Sequence, residues 1–260
     1  MFGAIKELYE YRSMIVNLTR REIRGRYKGS LLGFVWNFIV PLIQILVYIV
    51  VFTKIFRSGI DNYPLYLISG MVFWILFSES LVDGSAIMVM NSDMLKKIYF
   101  PRSVLTIAII LSKVVNCLIM IGLFFVIAGV MDYGISPVAI LFLPVILVIS
   151  FFFILGFVLA LSALDVYLRD VQYLVSVILM AWVWLSPIMY SADFIESELL
   201  TTFLKFNPIT YFVSVFHDIL YAKAVPDMFD LGMCCLLALG AMVIGCIVFH
   251  KLEKDFAEVL

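Results

Sequence analysis

Charged residues are scarce in this sequence. They make up 14% of its 260 residues, whereas a soluble globular domain carries about 25%. Hydrophobic residues make up 64%, and the mean hydropathy is +1.11. A soluble domain of this length cannot bury so much apolar surface, so lipid must surround most of the chain. The polar stretches are too short to fold separately, and residues 1–260 are therefore predicted to form one membrane unit.

Residues that carry chemistry are also scarce. The four cysteines lie in apolar runs without metal-ligand spacing, which excludes a disulfide scaffold and favours small packing residues. Neither His217 nor His250 has cysteines or carboxylates clustered around it, so we expect no metal site and no catalytic nucleophile. The phosphate-binding pattern G-x-x-x-x-G-K-[ST] is absent. We therefore expect no cofactor, no ATPase site and no nucleic-acid partner, and any energy must come from a partner or an ion.

Long apolar runs dominate the rest of the chain. A spanning helix needs about 20 mostly apolar residues, and a backbone exposed to lipid must be helical to satisfy its own hydrogen bonds. The sequence therefore predicts an all-α integral membrane protein with six transmembrane helices. The six runs are residues 31–56, 65–87, 103–131, 138–164, 171–190 and 230–249.

Lysine and arginine residues alternate between the connecting segments. Loops rich in these residues stay on the cytoplasmic side of a membrane. Of the 18 in the chain, 13 lie in segments 1–28, 91–102, 165–170 and 250–260, and three lie in the segments between them. Because this split alternates with every predicted crossing, both termini are predicted to be cytoplasmic.

The stretch 203–222 is long enough to be a seventh span. A seventh crossing would place Lys251 and Lys254 outside and break the charge pattern, and the stretch also contains His217 and Asp218. These observations favour a re-entrant hairpin on the external face, shielded by protein. The predicted segments are an amphipathic helix in 1–30, spans one to five in 31–190, the hairpin in 191–229, span six in 230–249 and a cytoplasmic tail in 250–260.

The N-terminal segment has helical periodicity. Apolar residues from Ile5 to Leu18 recur on one face, and a cluster of basic residues follows between Arg20 and Lys28. This pattern is typical of an amphipathic helix that lies in the cytoplasmic interface, with membrane lipids as its partners. A plain positive-inside anchor would explain the charge but not the apolar stripe.

Three charges fall inside the predicted spans two and three. Glu79 and Asp83 are four residues apart and share a helix face, and Lys113 lies at a depth similar to that of Glu79. A lone charge at mid-bilayer costs at least about 2.5–3.5 kcal/mol. We therefore predict a structural ion pair between Glu79 and Lys113; a proton relay is the alternative.

Aromatic residues make up 15% of the chain. Many of them, including Tyr99 and Phe100, fit an interfacial belt. Those in the predicted spans one and five fit it less well, and aromatic faces can stack on sugar rings. These residues, expected to line a translocation path, are Trp36, Tyr48, Trp182, Trp184 and Tyr190.

Six blocks of sequence carry a family pattern. They are RYKGSLLGFVWNFIVP (26–41), FPRSVL (100–105), YLRDVQ (167–172), LSPIMYS (185–191), NPITYFVSVFHDIL (207–220) and KLEKDFAEVL (251–260). The chain resembles the ABC-2-type permeases that export polysaccharides, O-antigen and teichoic acids, whose first span carries R-Y-x-x-S-x-L-G-x-x-W-x-x-x-x-P. The blocks follow the family's order with compatible spacing.

The resemblance implies a homodimer in the bacterial cytoplasmic membrane, working with two copies of a separate ABC ATPase that binds ATP and Mg. It implies that a lipid-linked glycan passes between the copies along spans one and five. The loops after spans two and four would dock on the ATPase through Lys96, Lys97, Pro101, Arg102, Arg169 and Asp170. The family's gate helix matches residues 4–24, and the substrate's pyrophosphate and headgroup would meet Arg20, Arg21, Arg24 and Arg26.

Three alternatives remain at this stage. An ABC-2 exporter of a drug or small lipid would share the same fold and partner. An ion-coupled secondary transporter would need accessible membrane carboxylates and no ATPase. A non-transporting scaffold is disfavoured by the two loops that match the family's coupling loops.

Overall fold

A computed structural model describes residues 9–25, 35–55, 59–191 and 197–256. Within these ranges every regular element is helical, which confirms the all-α prediction. The helices are α1 (Arg12–Gly25), α2 (Trp36–Val50), α3 (Tyr63–Ser85), α4 (Ile87–Met90), α5 (Ser92–Lys97), α6 (Ser103–Val130), α7 (Pro137–Ile140), α8 (Leu143–Tyr167), α9 (Val171–Trp182), α10 (Glu198–Phe206), α11 (Pro208–Phe216) and α12 (Met228–Leu252). The helix α2 continues as the π-helical turn Val51–Ile55, α11 continues as His217–Tyr221, and the 3₁₀ turn Glu253–Asp255 follows α12.

Four helices in the described ranges are long and apolar enough to cross a membrane. They are Tyr63–Ser85, Ser103–Val130, Pro137–Tyr167 and Met228–Leu252, at the predicted spans two, three, four and six. The apolar helices at the predicted spans one and five are shorter, Ile39–Lys54 and Val171–Trp182. Turns follow Trp182 on the way to Pro187, since a helix rarely continues into a proline. The count of six spans therefore stays a prediction.

The segment predicted as a hairpin contains two apolar helices separated by a sharp bend. The axes of Glu198–Phe206 and Pro208–Tyr221 meet at 83°. Asn207 caps the second helix, since its side chain accepts a hydrogen bond from the backbone N–H of Ile209, and Pro208 occupies the first helical position. A bend of this size fits a re-entrant hairpin as well as a broken span, so the re-entrant topology also stays a prediction.

The helix α3 lies at the centre of the molecule. It contacts α6, α8, α9 and α11, and most of its side chains are buried. Stacked rings join it to its neighbours: the ring centroids of Phe73 and Phe212 are 4.7 Å apart, and those of Phe153 and Phe212 are 4.5 Å apart. Because these rings come from α3, α8 and α11, they fix the bent segment against the core.

The helices α8 and α12 cross unusually closely. A Cβ atom on Gly245 would lie 2.1 Å from the carbonyl oxygen of Gly156, and one on Gly156 would lie 2.3 Å from the backbone of Ala241. Small residues allow helix backbones in membranes to approach in this way. This crossing fixes α12 against the rest of the bundle.

Segments outside the long helices α3, α6, α8 and α12 form two ends of the molecule. We call one the hairpin end, comprising residues 59–62, 131–136, 183–191 and 197–227. We call the other the loop end, comprising residues 91–102, 167–170 and 253–256. The ring contacts of Phe256 with Tyr167 and Arg102 bring the loop-end segments together.

The amphipathic helix α1 packs beside the loop end. Its Leu18 is buried, it contacts α6, and the Thr19 hydroxyl donates to the carbonyl of Ala108 over 3.3 Å. Arg20, Arg21 and Arg24 face outward. The predicted amphipathic character is therefore present in the described part of residues 1–30.

Candidate functional site

A network of three charges lies between α3 and α6. The side chain of Lys113 is 1% exposed, and its Nζ lies 3.2 Å from Glu79 Oε2. The predicted pair is thus present, and the structure adds Asp83, whose Oδ2 accepts a second hydrogen bond from the same ammonium. One buried cation is thus shared by two carboxylates four residues apart on α3.

A cavity of about 380 Å³ opens beside this network. Glu79 and Asp83 are partly exposed, with side-chain exposures of 34% and 37%, although Lys113 is not. Since an ionised carboxylate facing hydrocarbon is costly, the cavity is suited to water or a polar group. Its lining includes Trp36, Gln44, Trp74, Ser78, Glu79 and Asn116.

Three of the five aromatic residues expected along a translocation path lie together. The rings of Tyr48 and Trp184 meet edge to face with centroids 6.3 Å apart. The hydroxyl of Tyr190 donates to the carbonyl of Trp184 over 3.2 Å. This cluster joins the far end of α2 to the turns after α9, and the Trp184 side chain is exposed.

The other two aromatic residues lie elsewhere. Trp36 is exposed at the start of α2 and lines the cavity. Trp182 packs edge to face on Phe77, and its indole N–H donates to Asn207 Oδ1 over 3.0 Å. Because the polar group of Trp182 is committed to this contact, its geometry is that of a packing residue.

Asn207 organises the hairpin end. The side chain is almost fully buried and makes four hydrogen bonds. Its Oδ1 accepts from the indole of Trp182 and from the backbone of Ile209, while its Nδ2 donates to the carbonyl of Leu185 and to the hydroxyl of Ser186 over 3.0 Å each. All the hydrogen-bonding capacity of the amide is thus used to join α10 and α11 to the end of α9.

Tyrosine hydroxyls hold the hairpin end to the core. Tyr63 donates to the carbonyl of Met189 and Tyr66 to that of Tyr190, each over 2.9 Å. His217 stacks on Tyr66 with a centroid distance of 4.1 Å. These contacts fix the turns after α9 against α3.

A second set of tyrosine contacts joins three loops of the hairpin end. The hydroxyl of Tyr133 donates to the carbonyl of Tyr221, and that of Tyr221 donates to the carbonyl of Asp61. The ammonium of Lys223 lies 3.9 Å from the centre of the Tyr133 ring and donates to its carbonyl. Burial, with smaller contributions from Tyr221 and the Asp61 carboxylate, raises the pKa of Tyr133 above its ordinary value of 10.0, so the hydroxyl keeps the proton that it donates.

The first loop of the loop end exposes the side chains of residues 96–99. Lys96 and Lys97 close α5 and are exposed, and Tyr99 is 93% exposed. Pro101 and Arg102 are half-buried at the start of α6. The exposed Tyr99 extends the set of predicted docking residues, because a fully exposed aromatic ring is suited to a pocket on a partner.

The buried carboxylate of Asp165 holds the second loop (167–170) in place. Asp165 Oδ1 accepts a hydrogen bond from the backbone N–H of Gln172 over 3.1 Å, which closes the chain around Arg169 and Asp170. Both of those side chains are exposed. The predicted docking residues of the two loops therefore lie at the same end of the molecule.

The arginines of α1 lie near the first loop. Arg21 donates to Asn91 Oδ1 and to Glu22 Oε1, which ties α1 to the beginning of segment 91–102. Arg20 and Arg24 are exposed on the same helix, and Arg26 lies outside the described residues. The three described arginines thus provide a basic surface beside the loop end.

Long apolar helices around a buried charge network, with exposed basic loops at one end, define a multi-pass membrane protein. Residues 14–221 match the family model described as ABC-2 type transporter. The chain belongs to the ABC-2 type transporter family, which confirms the resemblance and implies an ABC ATPase partner.

Three relatives are similar over nearly their whole length. The chain is 31% identical over 260 residues to the "O-antigen export system permease protein RfbA" of Myxococcus xanthus, covering 99% of each chain. It is 27% identical over 249 residues to each of two proteins of the same name from Klebsiella pneumoniae, covering 95% of each chain. The similarity therefore includes the loop end, the hairpin end and the segments around α1 and α12.

Sequence reasoning gave no role to two residues of this arrangement, Asn207 and Phe256. The assignment of Tyr99 to an interfacial belt stays a prediction. The signals were present, since Asn-Pro marks a turn followed by a helix start and an aromatic residue in a polar tail needs a partner.

Proposed function

We propose that this chain is the membrane subunit of an ABC exporter that moves a lipid-linked polysaccharide of the O-antigen class across the bacterial cytoplasmic membrane. The observation that carries this proposal is the similarity to three O-antigen export permeases over 95% or more of each chain. Teichoic acid is a substrate of the same chemical class, since it too is a lipid-linked cell-surface polymer. The chain itself acts as a transport subunit and performs no ATP hydrolysis.

The loop end faces the cytoplasm in this proposal, together with both termini. Support comes from the distribution of lysine and arginine, of which 13 of 18 lie in segments assigned to that side. The hairpin end then faces the opposite side of the membrane, and substrate moves from the loop end toward it.

Two copies of an ABC ATPase would dock on the loop end of a homodimer, one per permease copy. Lys96, Lys97 and Tyr99 on one loop, with Arg169 and Asp170 on the other, provide exposed charge and one aromatic side chain for this contact. The partner would bind ATP and Mg, and its closure on ATP would push on the two loops.

The two permease copies would meet through α2 and α9. Both helices are apolar and leave large side chains exposed, including Ile43 and Leu46 on α2 and Val177 and Ile178 on α9. Trp36, Tyr48 and Trp184 lie on or beside these helices, where their rings would stack on sugar units passing between the copies. Such stacking is tolerant of register, which suits a polymer that must slide.

The basic surface of α1 would receive the charged end of the lipid carrier. Arg20, Arg21 and Arg24 are exposed next to the loop end, and arginine forms strong, often bidentate hydrogen bonds with phosphate oxygens. Replacing the three arginines by glutamine should lower export and substrate-stimulated ATPase activity without lowering the yield of folded protein. Unchanged export in this variant would show that α1 does not recognise the substrate.

The proposal is tested by co-purification with a candidate ABC ATPase from the same organism, followed by ATPase assays in proteoliposomes. A lipid-linked glycan, the lipid carrier alone and a small amphipathic drug are added in parallel. We expect the lipid-linked glycan to stimulate hydrolysis most. Greater stimulation by the drug would identify a small-molecule exporter, and failure of the ATPase to bind would overturn the proposal.

A further inference from the structure

Phe256 is buried in a part of the molecule where most side chains are exposed. It follows the 3₁₀ turn Glu253–Asp255 at the end of α12, and its side chain is 0% exposed. The neighbouring segments 96–99 and 167–170 are exposed. A fully buried aromatic ring at a polar surface means that several segments close around it.

The neighbours of Phe256 come from three separate elements. The guanidinium carbon of Arg102, at the start of α6, lies 5.0 Å from the centre of the Phe256 ring. The ring of Tyr167, at the end of α8, meets it at a tilt of 62° with centroids 6.2 Å apart, and the ring of Phe249 in α12 meets it edge to face at 6.0 Å. The first loop, the second loop and α12 therefore share one ring as a common contact.

A hydrogen bond also joins two of these elements, α8 and α12. The hydroxyl of Tyr167 donates to the carbonyl of Leu252 over 2.9 Å, at the residue where α12 ends. This bond fixes α8 to α12 directly below the position of Phe256. The segment that carries Phe256 is thus held on one side by the second loop and on the other by Arg102.

We propose that Phe256 is a positioning residue that joins the first loop (91–102) and the second loop (167–170) into one rigid docking surface, so that the ATPase displaces both loops together. The inference rests on the proposed coupling function and deepens it. Without the ring, the first loop loses the Arg102 contact that links it to Tyr167 and to the end of α12, so the two loops are held together less tightly.

The motion of the ATPase is transmitted to the helices through packed side chains. Coupling between sites needs a contiguous set of packed groups with discrete arrangements. The cation–π contact of Arg102 and the ring contacts of Tyr167 and Phe249 make such a set. If the two loops moved independently, part of the ATPase motion would be absorbed by the gap between them, and less export would result per ATP hydrolysed.

The relative position of the two loops is measured first. Cysteines replace Lys97 and Arg169 in a chain whose exposed Cys235 and Cys246 are changed to serine, and spin labels on the two new cysteines report their distance distribution. The labelled chain is diluted with unlabelled chain so that each dimer carries one labelled pair. We expect Phe256→Ala to broaden the distribution and Tyr167→Phe, which keeps the ring against Phe256 but removes the hydroxyl that donates to Leu252, to broaden it less.

The control variant is Phe124→Ala. Phe124 is a buried ring near the end of α6 that is farthest from the loop end. Its loss therefore lowers stability without removing a contact of Phe256. We expect its distance distribution to match the wild type. If Phe256→Ala leaves the distribution as narrow as Phe124→Ala does, the positioning role is wrong.

The functional readout is the amount of glycan exported per ATP hydrolysed in the reconstituted complex. We expect Phe256→Ala to lower this ratio by about fivefold, a loss of coupling of ordinary size, and Phe124→Ala to leave it unchanged. A lower ratio in both variants would assign the effect to stability and overturn the inference. Failure of the proposed function is distinguishable, because the wild-type complex would then show no ATPase binding while the distance measurement on the permease alone would still report on Phe256.

Discussion

The hairpin end and the loop end of this molecule are built in opposite ways. At the hairpin end, polar side chains turn inward, as with the four hydrogen bonds of Asn207 and the hydroxyl contacts of Tyr63 and Tyr66. At the loop end, Lys97 and Tyr99 are exposed. Polar groups of the hairpin end bond to one another, whereas those of the loop end are exposed and, in our proposal, contact the ATPase.

The difference separates residues that set stability from residues that set activity. Loss of an inward contact leaves a buried polar group without its partner, which costs free energy of folding. Loss of an exposed side chain costs little in folding but removes a contact with whatever docks there. Substitutions at the two ends should therefore have distinct signatures, and the buried charge network lying between them should affect both.

The largest loss of stability is expected for Lys113→Met. The change removes the buried cation shared by Glu79 and Asp83. Breaking a buried pair costs about 3–5 kcal/mol, and we expect the lower end of this range because both carboxylates are partly exposed. The unfolding temperature measured in detergent should be strongly lowered. Lys54→Met, at an exposed lysine of the π-helical turn, is the control and should unfold like the wild type. A transition equally lowered in both variants would show that the network has no special role.

Asn207→Ala should give the next largest effect, confined to stability. It leaves the Trp182 indole and the Ile209 backbone N–H without their acceptor, at a cost of about 2 kcal/mol. The lowered unfolding temperature should come with unchanged affinity for the ATPase. Thr202→Ala, at an exposed position of α10, serves as the comparison, and a stability loss of the same size there would contradict the importance of the buried amide.

Tyr99→Ala should have the opposite signature. We expect an unchanged unfolding temperature and a roughly tenfold weaker affinity for the ATPase, the size expected when an aromatic anchor is removed. Surface plasmon resonance with immobilised permease measures this affinity. Phe206→Ala, at an equally exposed ring of the hairpin end, should bind normally; weakened binding by that variant instead would reverse the assignment of the two ends.

The smallest effect is expected for Tyr133→Phe. It removes the hydroxyl that donates to Tyr221 while keeping the ring beneath Lys223, at a cost of about 1 kcal/mol. Because burial raises the pKa of Tyr133 above 10.0, the loss relative to wild type should be constant below about pH 9 and should shrink as the pH rises above about 10. Tyr173→Phe, at an exposed tyrosine of α9, should cost nothing measurable, and a loss for Tyr133→Phe that stays the same above about pH 10 would contradict the raised pKa.

Composition and charge distribution predicted a helical membrane protein, because the surrounding membrane determines both. Segments in lipid must be apolar and helical, and basic residues collect in the cytoplasmic loops. The pairing of Glu79 with Lys113 was predictable from depth alone, since a charge in lipid needs a partner. Asp83 was on the correct face, but whether it would reach Lys113 depends on rotamers that spacing does not determine. The short helix at span five was predictable only in part, because Pro187 indicates that a helix must stop before it, whereas the apolar run 171–190 does not show that the helix stops as early as Trp182.

The remaining parts of the site depend on tertiary contacts, which the sequence does not show. Trp182 and Trp184 are two residues apart, yet one is committed to Asn207 and the other is exposed. Their difference arises from the turns after α9, which no local pattern specified. Likewise the contact of Phe256 with Arg102 joins residues that are distant in sequence, so it becomes visible only once the helices are packed.

The docking of an ATPase on the loop end is tested most directly by site-specific photo-crosslinking in the assembled complex. The photoreactive residue p-benzoylphenylalanine replaces Tyr99 at the loop end in one variant and Lys223 at the hairpin end in another. We predict a crosslink to the ATPase from position 99 and none from position 223. A crosslink from position 223, or none from position 99 in a complex that hydrolyses ATP, would contradict the account.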